Sequence, residues 1–157
     1  MIKTNAMRML SSAKIAFEVM EYEVDENDLS GIHIADQIAL PREMVFKTLV
    51  AKGDKTGLLV FCIPCAEELD LKKVASLTGN KRIEMVAVKD LLGLTGYIRG
   101  GCSPIGMKKK FPTWIDESCL NFEKITVSSG ARGAQLLLDR GALLQFVQAR
   151  TADLTVK

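Results

Sequence analysis

Residues 45–52 and 58–63 are two strand-like apolar runs separated by Gly53-Asp54-Lys55-Thr56-Gly57, and no other feature limits the fold so firmly. The turn cluster between them predicts a hairpin. In the first run, alternation sets Lys47, Leu49 and Ala51 on one face and Phe46, Thr48 and Val50 on the other. Both faces are largely apolar, so this strand belongs inside the fold with a cover on each side. Lys47 is the exception within it. Lysine is almost never fully buried without a partner, so Lys47 either serves a site or snorkels to the sheet edge.

The remaining segments supply the covers. Residues 4–14 read as an amphipathic helix and 17–23 as a strand, followed by a polar loop over 25–30. A helix over 32–40 must end before Pro41, because proline disfavours helix in the residue preceding it. A short helix over 70–77 takes Asp70 as N-cap and stops at Gly79. A strand over 83–86, a helix over 88–94 and a strand over 97–99 lead into a glycine-rich loop. Strands over 114–116 and 124–127, a short apolar run over 135–138 and a last helix over 140–148 complete the chain. Without strict βαβ alternation, the pattern predicts one α+β domain over residues 1–157 with a mixed or antiparallel sheet.

Lysine plus arginine exceeds aspartate plus glutamate by 21 − 19 = 2. That near-neutral balance excludes a histone-like or polybasic protein, so any nucleic-acid contact must rest on local patches. The longest apolar run, 58–66, is far short of the roughly 20 residues a membrane span needs. Residues 1–19 lack the continuous apolar stretch of a signal peptide, and a cytoplasmic location is expected. The four cysteines are therefore expected as reduced thiols. Cys62-Ile63-Pro64-Cys65 ends a strand-like run instead of opening a helix, which favours packing over redox chemistry. His33 is the only histidine, which excludes any site needing two histidine ligands. It reads as a surface or capping residue.

Two glycine loops stand out. The first is Gly100-Gly101-Cys102-Ser103-Pro104-Ile105-Gly106, followed by Met107-Lys108-Lys109-Lys110. It matches no nucleotide-binding fingerprint, yet adjacent glycines let backbone N–H groups converge on an anion without a Cβ in the way. The second is Ser128-Ser129-Gly130-Ala131-Arg132-Gly133. The two are either walls of one pocket or unrelated turns beside a solvated charge run.

These features, with Phe46-Lys47-Thr48-Leu49, Leu69-Asp70-Leu71-Lys72-Lys73-Val74-Ala75 and Gly96-Tyr97, come in the order and spacing of the YbaK/EbsC family. The sequence resembles that family from the first helix to about Ala149. The resemblance implies a single α+β domain around a mixed, curved, barrel-like sheet with surrounding helices. It implies a free-standing editing enzyme, related to the inserted editing domain of bacterial prolyl-tRNA synthetases, that removes cysteine from tRNA(Pro). The expected partner is the acceptor end of mischarged tRNA, with prolyl-tRNA synthetase a candidate second partner. Neither DNA, a membrane, a metal nor an organic cofactor is implied.

Carried over by position, the resemblance makes Lys47, Gly100, Gly101 and Ser128 the catalytic set. It makes Tyr22 and Thr48 substrate contacts; Ser103, Pro104 and Gln135, together with Lys108 and Lys109 of the basic run, are the further expected contacts. In that family the cysteine substrate's own thiol attacks its ester, so no protein nucleophile is required. This chain departs at Gln135, where the family has aspartate, and at Ser30, where it has an aromatic. The second loop also reads Ser-Ser-Gly instead of Ser-Gly-Gly. Competing readings are a water-mediated deacylase for alanyl or another small aminoacyl ester, and a noncatalytic RNA-end binder.

Overall fold

The computed structural model describes residues 3–157. Its centre is the expected hairpin: β2 (Phe46–Gly53) and β3 (Gly57–Pro64) pair antiparallel, with Lys47 opposite Ile63 and Gly53 opposite Gly57. The alternation read from the sequence decides what each face meets. Phe46, Val50, Val60 and Cys62 enter one core cluster, while Ala51, Leu59, Phe61 and Ile63 enter another. The hairpin is thus buried on both faces, as its composition requires.

Three short strands extend this sheet. β4 (Ile83–Met85) pairs with the free side of β2, β5 (Thr113–Asp116) runs parallel to β3, and β8 (Arg150–Ala152) runs parallel to β5. The order is β4-β2-β3-β5-β8. A second, antiparallel sheet orders β1 (Phe17–Glu21), β7 (Ala134–Asp139) and β6 (Lys124–Ser128) as β1-β7-β6. A single parallel bridge between Val45 and Thr126 joins the two sheets. The surface they form is curved and mixed, and it does not close into a barrel.

Helices cover the faces. α1 (Asn5–Ser12) begins at Thr4, whose hydroxyl accepts from Met7 N–H and donates to Ser129 O at 2.6 Å. This helix seals the larger core with Ala6, Met7 and Leu10. α2 (Gly31–Ile38) is capped by Ser30 and packs Ile34, Ala35 and Ile38 against Val45 and Cys65. α3 (Leu71–Thr78), capped by Asp70 as expected, covers the opposite hairpin face through Val74 and Ala75. α4 (Val88–Thr95) and α5 (Arg140–Val147) complete the set, and among the described residues no helix is long and apolar enough to cross a membrane.

Two expectations need correction. Residues 97–99 form no strand. They lie in a turn closed by Gly101 N–H to Ile98 O at 2.9 Å, and the Tyr97 hydroxyl donates to Ile105 O. The segment is too short to pair, and its tyrosine is used to brace the following loop. β8 was also not expected, because a three-residue parallel strand carries no turn signal to betray its partner. Elsewhere the shifts are of one or two residues, the ordinary scatter of element ends.

The C-terminal segment is held by a buried carboxylate. Asp116 is 2% exposed and accepts from Leu154 N–H at 2.9 Å and Ser118 N–H at 3.1 Å. Leu154, fully buried, then covers the α3 side of the hairpin. Hydrogen bonds to charged groups contribute about 1.5–3 kcal/mol each, and a buried donor left unpaired costs as much again in desolvation. Asp116→Ala should therefore lower unfolding free energy by roughly 3 kcal/mol in urea melts. A loss below about 0.5 kcal/mol, the usual scatter for surface changes, would show that the segment is anchored by other means.

A candidate active-site pocket

A cavity of about 430 Å³ opens where the start of β2, the N-terminus of α2, the β4–α4 segment and both glycine loops converge. That volume suits a small ligand or the end of a larger one. Its polar lining includes Lys47, Thr48, Arg99, Gly100, Ser128 and Gln135; Met85, Val88 and Leu91 supply an apolar wall. The two glycine loops therefore do share one pocket.

The loops are locked to each other by backbone contacts. A Cβ at position 101 would stand 3.2 Å from Ala131 C and Arg132 N, so any side chain there would press on the second loop's backbone. Arg132 reaches back, its Nε donating to Arg99 O at 2.9 Å. Gly130 has φ of 96°, and a Cβ there would meet the Tyr97 ring at 2.8 Å. Ser128 Oγ accepts from Gly130 N–H at 3.2 Å, which fixes its position and leaves the hydroxyl proton for a ligand. Gln135 is 4% exposed, and its Oε1 accepts from Thr126 Oγ1 at 3.1 Å. Its carboxamide N–H₂ remains available to the cavity.

The structure separates the expected residues into two groups. Lys47, Thr48, Gly100, Ser128 and Gln135 line the cavity together. The others lie elsewhere. Gly101 is packed beneath the loop, with its amide committed to Ile98 O, so it does not offer a free N–H to a ligand. Ser103 and Pro104 are buried outside the lining, and Ser103 Oγ instead accepts from Ile105 N–H. Tyr22 packs in the α2 cluster, behind the wall formed by Ile34, Val45 and Cys65. Lys108 turns to the end of α4, its Nζ donating to Gly93 O at 3.3 Å, while Lys109 is exposed away from the lining. Lys73 is committed to Asp153 at 2.9 Å. Arg99 was missed; its position directly before the glycine pair is the signal that points to it.

The charge of the cavity is one-sided. Its charged lining residues are Lys47 and Arg99, both cations, with no carboxylate and no histidine among them. Neither forms an ion pair among the described residues. His33 sits outside, on the surface of α2 near Gln37 and Asp28.

Two cysteines line the cavity but are poorly suited to attack. Burial pushes the Cys102 thiol up to about 12, and burial also raises Cys65 despite the opposing charges of Lys47 and Arg42. Cys62, inside β3, is likewise pushed up to about 12 by burial, and Cys119 to about 11. A thiol must ionise to act as a nucleophile, so these four stay neutral and inert near pH 7. Native protein at pH 8 should react slowly with a thiol-specific disulfide reagent, and unfolded protein should titrate all four at once. One thiol reacting at the unfolded rate in the native state would reveal a nucleophile within the protein.

Comparison with known proteins agrees with the fold. Residues 32–146 match the family model described as the aminoacyl-tRNA editing domain. EbsC of Enterococcus faecalis, whose name assigns it as a Cys-tRNA(Pro)/Cys-tRNA(Cys) deacylase, is 46% identical over 99% of this chain and 94% of its own. A crystal structure assigned as a trans-editing enzyme for prolyl-tRNA synthetase superposes with a TM-score of 0.84 at 23% identity, covering 100% of both chains. The structure of a hypothetical protein gives a TM-score of 0.86 at 18% identity, over 96% of this chain and 98% of the other. These last two speak to the fold. On the match over most of its length, the chain belongs to the aminoacyl-tRNA editing domain family.

Proposed function

We propose that this chain is a free-standing, cytoplasmic aminoacyl-tRNA deacylase, folded as one domain over residues 1–157, that removes cysteine from tRNA(Pro). The observation that carries the reading is the cavity's chemistry: two cations and several neutral hydrogen-bond donors, with no carboxylate, histidine or ionised thiol. Such a site can hold an anionic nucleic-acid end and steady a developing oxyanion. It lacks a base or nucleophile of its own.

Cysteine esters supply the missing part. The substrate's sulfur forms a bond to its own ester carbonyl carbon, the bond from that carbon to the ribose oxygen breaks, and the thiol proton passes to the departing oxygen; the resulting cyclic thioester is then opened by water to free cysteine. In this reading Gly100 N–H, which has no partner among the described residues, faces the oxyanion. One such donor is typically worth about 10²–10³ in rate. Lys47 and Arg99 hold the terminal phosphate and ribose, and Ser128, Thr48 and Gln135 orient the aminoacyl group. The name of the Enterococcus faecalis relative pairs one amino acid with two tRNAs, which supports recognition of cysteine over recognition of the tRNA body. Prolyl-tRNA synthetase is then the proposed source of tRNA selectivity.

The test is deacylation of tRNA(Pro) charged with cysteine, alanine or serine by purified protein. Cysteine should be released while the alanyl and seryl esters persist; release of alanine alone would reassign the enzyme, and protection of all three would mark an RNA-end binder. Lys47→Ala should lower kcat/KM for the cysteinyl ester by about a hundredfold, the scale of a lost positioning contact. Its melting temperature should stay close to that of the parent. Near-normal turnover in that variant would remove Lys47 from the site.

A further inference from the structure

At the far edge of the five-stranded sheet lies a second groove of about 570 Å³, formed by residues 110–114, the end of α5 and β8. Its charged residues, Lys110 and Arg150, are both cations and both exposed. Neither makes an ion pair among the described residues. Arg150 lies over the Trp114 ring, 5.7 Å from its centroid. Held over the indole face, the guanidinium makes a cation–π contact, and its N–H donors have no partner among the described residues, which leaves them for phosphate oxygens. Phe111 and Trp114, both half-buried, give the groove an aromatic floor.

A groove between β4 and α4 sets the comparison. It is of similar size, about 650 Å³, and holds Lys52 and Lys89 together with Glu84 and Asp90. Mixed charge is what a chain with 21 basic and 19 acidic residues presents on average. Only the active-site cavity and the Lys110–Arg150 groove carry cations alone among these three.

The two cation-only sites also lie within reach of one ligand. Lys47 is on β2, and β3 and β5 separate that strand from β8. Three steps of about 4.8 Å, with an offset of about two residues along the strands, put the Lys47 and Arg150 backbones roughly 16 Å apart. Residues 107–109 link the first glycine loop to Lys110, so the two sites are also ends of one short connection. We infer that the groove binds the sugar–phosphate backbone of the same tRNA whose acylated end enters the cavity. The identity of that RNA rests on the deacylase reading; the anionic, backbone-directed chemistry of the groove does not.

The test measures binding of uncharged tRNA(Pro), by fluorescence anisotropy, to three folded proteins. One is the parent, one is Lys110→Gln with Arg150→Gln, and one is Lys52→Gln with Lys89→Gln. The last removes the same charge from the mixed groove. The Lys110/Arg150 variant should bind about tenfold more weakly at low salt, and its log–log salt slope should be shallower by roughly one to two. The Lys52/Lys89 variant should stay close to the parent, and a control with Lys110→Arg and Arg150→Lys, which keeps both charges, should keep most of the parent's affinity. Equal weakening in both double variants would reduce the effect to net charge and overturn the inference. So would unchanged tRNA affinity accompanied by lost binding to polyglutamate, which would make the groove a site for an acidic protein segment. Groove-dependent tRNA binding by a parent protein that does not release cysteine would leave this inference standing and overturn the deacylase reading instead.

Discussion

The missing side chain at position 101 is what the site depends on. It lets the first glycine loop lie on the Ala131–Arg132 backbone, at a distance a Cβ would fill. The bonds that tie the two glycine loops lie around that contact, while Lys47, Thr48 and Gln135 are placed by β2 and β7. Arg132 can then tie to Arg99 O, the Tyr97 ring can sit under Gly130, and Ser128 can take the Gly130 amide. Each of these is a local bond, but together they fix the positions of Gly100 and Ser128, which come from distant parts of the chain. Preorganisation of this kind matters more to catalysis than the strength of any one contact, because misplacement by about 1 Å can cost a hundredfold in rate.

Electrostatics then selects the chemistry. Two unpaired cations in a partly desolvated cavity favour an anionic ligand, and the absence of a carboxylate removes any local base. Burial works in the same direction on the thiols, keeping Cys102 neutral although it lines the cavity. A serine with no base beside it is no better as a nucleophile. On the proposed reading the attacking atom arrives with the substrate, so a cysteine ester fits this arrangement better than an alanine ester.

Much of this was legible in the sequence because it rests on local pattern. The hairpin, its two buried faces and Lys47 within it follow from alternation, and the cap at Asp70 follows from residue type. The resemblance added the pairing of the glycine loops and five of the residues that line the cavity. What could not be read is direction. Ser103 and Pro104 sit in the right loop but point into the core, and Lys108 leaves the glycine loop for the end of α4. Gly101 serves as a close-packing position, whereas its spacing beside Gly100 suggested a second free amide. β8 depends on a parallel partner far along the chain, and no nearby turn announces it.

The whole mechanism turns on a nucleophile that belongs to the substrate. A single-turnover comparison of tRNA(Pro) charged with cysteine and with S-methylcysteine addresses that point without intermediaries. The methyl group blocks the sulfur from closing onto the ester while changing size by one carbon. Cysteine should be released rapidly, and the methylated ester should decay no faster than by spontaneous hydrolysis. Release of S-methylcysteine at a comparable enzyme-dependent rate would contradict the mechanism, and an activated water held by this pocket would then replace the substrate thiol as the attacking group.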